Sequence, residues 1–381
     1  MKRILAILIV GMLVLSSCGD KESVEKVIAD KDGIKNYTNT STPADPNVKL
    51  DLKKRFSISG ENEDSLASFN QPFSMTADKD GNIYILDMSS MSLKKFDKEG
   101  IFTKSIGRRG QGPGELSGPT FVAILDDTLS VMSQRLRKIS RFTLDGEFIN
   151  DKRLEMDIQL PKTFDNENVI GYTVEVDQEN QAIKFSLSLL NKDFKITNTF
   201  EKRDIGFQDF SSGKVKISDL LIPFAPGKDK VYLSENDDNQ YKINEFDLTG
   251  KKTATIKKEY RKTKNSEEEQ EAFMAYIEQN NSGITNDNMK LDNFKKAFTS
   301  MYYDKYGRLL VVPEIDRSKD PEGSYIDIFK DGVFQNRVDF EVNKGNVNLG
   351  SFSFMQKQIF FVGDRMYVIN MEEMIVDVYD Y

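Results

Sequence analysis

The sequence predicts an all-β fold, a closed six-bladed β-propeller of four-stranded antiparallel blades. Three observations predict it. A turn followed by a short β-rich strand recurs six times, an alternating strand ending in an acidic-glycine turn follows most copies, and the last copy stops one strand short of a full unit.

The N-terminus comes first. Lys2 and Arg3 precede an apolar run from Ile4 to Leu15, and Leu15-Ser16-Ser17-Cys18 follows. A basic start, a short apolar stretch and small residues before a cleavage point make residues 1–17 a signal peptide. The run is short of the roughly 20 residues that a membrane-spanning helix needs. Cys18 is the only cysteine of the chain, so no intramolecular disulfide is expected. Leu-Ser-Ser-Cys resembles the lipobox of bacterial lipoproteins, which implies cleavage before Cys18, its acylation, and attachment to a membrane through that lipid.

Residues 18–47 read as the lipidated cysteine and a flexible tether: they are polar, contain Pro43 and Pro46, and show almost no apolar period. Gly19-Asp20-Lys21-Glu22-Ser23 resembles the export signal of Bacteroidetes lipoproteins. The resemblance implies the outer membrane, at the cell surface or otherwise on the periplasmic face.

Residues 48–381 read as the propeller. The first motif appears as Asp80-Gly81-Asn82-Ile83-Tyr84-Ile85, and again from Asp126 to Val131, Gly227 to Leu233, Asp304 to Val311 and Gly363 to Val368, with a weaker copy from Gln178 to Phe185. The second appears as Leu93-Lys94-Lys95-Phe96-Asp97-Lys98-Glu99-Gly100, and again from Ile139 to Gly146, Ile243 to Gly250 and Ile326 to Gly332. These are hairpin signals, and their spacing of roughly 50 residues suits one blade each. With strands lettered a to d from the central channel outward, the first motif is the a–b turn and strand b. The second is strand c and the c–d turn. Ile375 to Tyr381 is a strand c after which the sequence stops, and Val48 to Ile58 is an alternating segment without another partner. That segment is expected to supply the missing strand d and close the ring, which removes the open edges.

Ile106-Gly107-Arg108-Arg109-Gly110-Gln111-Gly112-Pro113-Gly114-Glu115-Leu116, after the Asp-Gly-Asn-Ile-Tyr-Ile strand, resembles NHL-type propeller repeats. The nearest likeness is to the six-bladed β-propeller lipoproteins of Bacteroidetes, of the NHL/TolB-like group. It is strong over about residues 70–150 and implies fold and anchoring more than activity. Some NHL propellers are lyases that use histidine-bound metal. This chain has no histidine, so that activity does not carry over.

Composition narrows the chemistry. The net charge is −8, with an isoelectric point near 5.1, and becomes −10 without Lys2 and Arg3. Such a chain is a poor match for polyanions, so a nucleic-acid partner is not expected. Without histidine, and with its sole thiol lipidated, it is expected to use no metal and no cofactor.

In a propeller the a–b and c–d turns lie on one face, here called the turn face. The b–c loops and the connections between blades lie on the other, the loop face. Asp80, Asp97, Asp145 and Asp247 belong to tight turns, where Asp and Gly supply local hydrogen bonds and positive φ. The loop face carries more candidate chemistry. Arg108, Arg109 and Gln111 in the glycine-rich connection between blades 1 and 2, with Arg135 and Arg137 in the b–c loop of blade 2, are the candidate ligand-binding residues. Glycine exposes backbone N–H groups and arginine supplies a donor fork for an anion. The alternative is a structural crossover with solvated arginines.

Between blades 4 and 5 an insertion, about residues 264–295, begins Asn265-Ser266-Glu267-Glu268-Glu269, a capping box for a helix to about Gln279. Phe273, Met274, Tyr276 and Ile277 stripe it. The b–c loop of blade 5, Glu314 to Ser324, is long and polar and enlarges the same face. The leading functional expectation is a membrane-anchored, non-enzymatic module binding a glycan, peptide or protein on the loop face. The alternative is a hydrolase or lyase acting on an anionic polysaccharide through carboxylate, Tyr or Arg chemistry on that face. No catalytic residue is identifiable, and fold alone does not decide between them.

Overall fold

The computed structural model describes residues 24–30, 32–212, 222–235, 240–280, 293–316, 318–344 and 357–381. Cys18 and the signal peptide lie outside them. Six antiparallel blades follow one another along the chain, each of four strands in the order a-b-c-d. Blade 1 is Pro72–Ala77, Ile83–Asp87, Ser92–Phe96 and Phe102–Ile106; blade 2 is Pro119–Leu125, Thr128–Ser133, Lys138–Thr143 and Phe148–Arg153. Blade 3 is Asp157–Thr163, Asn168–Asp177, Ala182–Asn191 and Ile196–Gly206; blade 4 is Phe224–Pro226, Lys230–Ser234, Tyr241–Asp247 and Lys252–Lys258. Blade 5 is Phe298–Tyr303, Arg308–Pro313, Tyr325–Lys330 and Val333–Asp339. Blade 6 is Lys357–Val362, Arg365–Asn370, Ile375–Asp380 and, from the other end of the chain, Lys53–Ser59.

That last pairing is the expected closure. Val376 lies opposite Ile58 and Val378 opposite Phe56, and Ile58 is buried between blades 6 and 1.

The core is divided among the seams between neighbouring blades, because a strand presents alternate side chains to opposite sides. In blade 1, Ile83 and Ile85 pack toward Tyr367 and Ile369 of blade 6, while Tyr84 and Leu86 pack toward Val122 and Val131 of blade 2. Four further clusters fill the remaining seams. This explains why the b strands read as continuous apolar runs: both of their faces are interior.

The turns follow the sequence. Gly81, Gly100, Gly146 and Gly250 all adopt positive φ, and Asp97 Oδ1 accepts from the N–H groups of Glu99 and Ile101.

Two expectations are corrected. In blade 3, residues 178–181 form the b–c turn, because strand b is Asn168–Asp177 and strand c is Ala182–Asn191. The true a–b turn is an Asx turn without glycine, in which Asp165 Oδ1 accepts from Glu167 and Asn168 N–H. The second correction concerns the tether. Lys35–Asn39 pairs in parallel with the outer strand of blade 4, and Val24–Ala29 pairs with it in turn, making a six-stranded sheet. The chain then crosses blade 5, where Ala44 and Asp45 N–H donate to the carbonyls of Phe334 and Gln335. Leu50 next enters the seam between blades 5 and 6. Residues 24–59 are therefore a strap over the outer edges of blades 4, 5 and 6. Few of its side chains are apolar because much of its hold comes from backbone hydrogen bonds to those edges.

Candidate functional site

The glycine-rich connection holds itself together. Arg108–Arg109 and Glu115–Leu116 form a short parallel ladder. Glu115 Oε2 accepts from Gly112 N–H at 2.9 Å, and its Oε1 accepts from Arg108 at 2.9–3.0 Å. These bonds keep the Glu115 carboxyl below its ordinary pKa, the Gly112 N–H first and Arg108 second. A Cβ on residue 110 would fall 2.0 Å from Glu115 Oε2, so any larger residue there would push the carboxylate out of its present bonds. Lys138 Nζ fastens the loop from beneath, donating to the Gly112 carbonyl and to Asp151, each at 2.9 Å. The anion that this loop binds is its own Glu115.

Three of the five candidate residues are taken up by separate local partners. Arg108 pairs with Glu115, Arg109 donates to the Ser89 carbonyl at 2.7 Å, and Arg137 faces Asp157 at 3.4 Å. Gln111 and Arg135 are exposed, and none of the five lines the channel. The expected shared arginine pocket is corrected accordingly: local carboxylates and carbonyls take up the guanidinium groups, and only Arg135 projects without such a contact among the described residues.

The channel supplies the site instead. It encloses about 760 Å3, with walls from the a strands of all six blades. Half-buried aromatic residues, among them Phe73, Tyr302 and Phe360, contribute to the lining, while Phe121, Phe224 and Phe298 border it from the buried seams between blades. Toward the loop face the mouth is more polar. Gln134 of blade 2, Glu235 and Gln240 of blade 4, Glu314 of blade 5 and Asn265, Lys295 and Lys296 of the insertion contribute to it.

The insertion is fixed beside this mouth. Its helix, Glu267–Asn280, opens with the expected capping box: Ser266 N–H donates to Glu269 at 2.8 Å, and Glu269 N–H donates to Ser266 Oγ at 3.1 Å. Glu269 also pairs with Lys295, and Tyr260 donates to the Lys295 carbonyl at 3.0 Å. The helix start is thereby tied to the channel lining. The side chains of Phe273, Tyr276 and Ile277 lie outside the described residues.

Sequence reasoning missed Lys162. Strand a of blade 3 carries one extra residue between Gln159 and Lys162, with Leu160 at φ +47°, and such a bulge shifts the alternation and re-aims side chains. Lys162 borders the channel. Its Nζ donates to the carbonyl of Phe224 in blade 4 at 2.7 Å and reaches that of Met301 in blade 5 at 3.4 Å. The ammonium lies 4.7 Å from the centre of the Phe224 ring and 5.8 Å from that of Tyr302, a cation–π arrangement. Burial pushes its pKa down to about 8. The bulge that places it leaves no turn signature in the sequence, so nothing there announces Lys162. Chemically, the channel offers an apolar chamber, a polar mouth and a cation deep in the wall.

Several solved structures resemble the chain at low identity. A Bacteroides fragilis protein described provisionally as exported is 14% identical, covers 87% of this chain and 88% of its own, and has a TM-score of 0.48. Virginiamycin B lyase from Staphylococcus aureus is 11% identical over 87% of this chain and 100% of its own, with a TM-score of 0.44. BamB from Moraxella catarrhalis is 10% identical over 87% and 98%, with a TM-score of 0.39. No curated protein matches the chain. Residues 72–308 match the family model described as a 6-bladed beta-propeller, and with six closed blades in the structure, the chain belongs to that family.

Proposed function

We propose that this chain is an extracytoplasmic binding propeller, held to a membrane through a lipid on Cys18, that receives a glycan, peptide or protein segment at the loop-face mouth of its channel. The cavity carries the reading. Its 760 Å3 falls within the range of about 300–1,000 Å3 typical of ligand pockets, which combine apolar walls with a few placed polar groups. Its mouth draws on the insertion and on three b–c loops, the segments in which propellers vary most freely. Glu235, at that mouth, accepts from Lys242 at 2.7 Å and Asn244 at 3.0 Å, so its carboxylate is held in place as a hydrogen-bonding group at the rim. The signal-peptide pattern and the lipobox-like Leu15-Ser16-Ser17-Cys18 support the location.

The test uses protein beginning near Lys21 on glycan and peptide arrays, beside Ser300→Trp, which fills the channel from a half-buried wall position. Ligands bound by the wild type and lost in a variant of unchanged melting temperature support the reading. Binding that survives in the filled channel overturns it. Anchoring is tested separately with Cys18→Ser: the wild type is expected in the detergent phase and the variant in the aqueous phase, and equal partitioning refutes the lipid.

A further inference from the structure

The charge on the channel wall runs against the charge of the chain. The protein as a whole carries −8, yet among the described residues the cavity is lined by Lys162, Lys295, Lys296 and Lys357 against Glu235 and Glu314. Lys295 is neutralised by Glu269. Lys162 is in a different position, because its contacts are two backbone carbonyls and two ring faces.

Carbonyl oxygens orient an ammonium without neutralising it. A cation shielded from bulk water and, among the described residues, without a counter-ion is costly, and the fold places it beside half-buried aromatic residues such as Tyr302 and Phe360 and where space for a ligand adjoins it. An ammonium has three donors, two of which are directed at the Phe224 and Met301 carbonyls. The third remains for a group in the cavity.

We propose that the channel binds an amphipathic anion, in which Lys162 receives a carboxylate, sulfate or phosphate group and the aromatic walls hold an apolar or planar body. This deepens the proposed function and rests on its reading of the channel as a ligand site. Lys162 acts as an anion receptor, and the rings around it supply affinity through contact area and exclude water from the ion pair, which strengthens it.

The experiment compares two fluorescent probes with one aromatic body: 8-anilinonaphthalene-1-sulfonate and its uncharged parent, N-phenyl-1-naphthylamine. The full mature chain is expected to bind the sulfonate at one site at least about tenfold more tightly than the parent, and Lys162→Met to abolish that preference while leaving the parent's affinity unchanged and without lowering the melting temperature. A wild type that takes up neither probe overturns the channel as a ligand site. One that takes up both equally, with Lys162→Met indifferent, overturns the anion receptor alone. A measurement on the wild type covers the case in which the variant misfolds. Acylation of Lys162 by an amine-reactive ester, read by peptide mass spectrometry, is expected to fall when the sulfonate is bound and not when the parent is; equal labelling in the three conditions overturns the proposal.

Discussion

Asn39 Nδ2 donates to the carbonyl of Gly332 at 3.0 Å, joining the N-terminal strap to the c–d turn of blade 5 across 293 positions of sequence. The same amide donates to the Lys257 carbonyl at 3.0 Å, and its Oδ1 accepts from Phe334 N–H at 2.8 Å. Asn39 is fully buried. Replacing it with Ala leaves buried backbone groups unpaired, at about 1–3 kcal/mol. Chemical denaturation should show the midpoint falling while the slope stays constant. Deleting residues 24–40 should lower the melting temperature further, since the outer edge of blade 4 is then bared and the Asn39 link to blade 5 is lost; an unchanged value would remove the strap from the fold's energetics.

Ring closure is the second expectation. Deleting residues 53–59 removes strand d of blade 6 and the Ile58 contact between blades 6 and 1. The outcome should be loss of cooperative unfolding, measured by calorimetry, with aggregation through the exposed edge. A sharp transition at the wild-type temperature would refute closure as a source of stability.

Asp327 provides the third. Its carboxylate, with no exposed surface, accepts from Arg337 at 2.6 and 2.9 Å, Tyr241 at 3.0 Å and Lys258 at 3.3 Å. Removing one member of such a network strands the others, so Asp327→Ala should cost about 3–5 kcal/mol. Arg108→Ala breaks an exposed pair and should cost at most about 1 kcal/mol. Urea titrations of the two variants check the ordering.

The fourth concerns pH. Lys162 ordinarily loses its proton near 10.5 and in the fold does so near 8. Between these values the unfolded chain holds more protons than the folded one, so this lysine's contribution to stability rises with pH. Below about 8 the buried charge is carried in full. Charged groups elsewhere in the lining are Lys295, Lys296, Lys357, Glu235 and Glu314, and the Tyr302 phenol, pushed by burial to about 12, titrates above the window. The melting-temperature advantage of Lys162→Met over wild type should therefore be greatest below pH 8 and shrink toward 10.5. A difference that is flat across this range would refute the assignment.

Most of the ring was legible because Asp-Gly turns and the period-2 alternation are local and repeat. Ser266 and Glu269 announced their helix for the same reason. Blade 3 was misphased where the signature changes: Asp165 makes its turn without glycine, and Gln178 to Gln181 imitates one at the far end of two long strands. The strap was unreadable because Asn39 and its neighbours pair with edges about two hundred to three hundred residues away, and a polar side chain satisfied by distant backbone looks like a solvated one. The glycine loop did signal an anion, but Glu115 within the loop supplies it. Lys162 draws its surroundings from three blades, so no window of sequence contains its site.

The order in which the strap crosses the blades has a mechanical consequence. A pull on the N-terminus meets the strands on blade 4 first, the contacts on blade 5 next and the closing strand of blade 6 last. Each is peeled before load reaches the next. Residues 24–52 could thus pay out roughly 100 Å of extended chain before the ring feels tension, so the strap would act as a shock absorber that yields in stages and spares the channel.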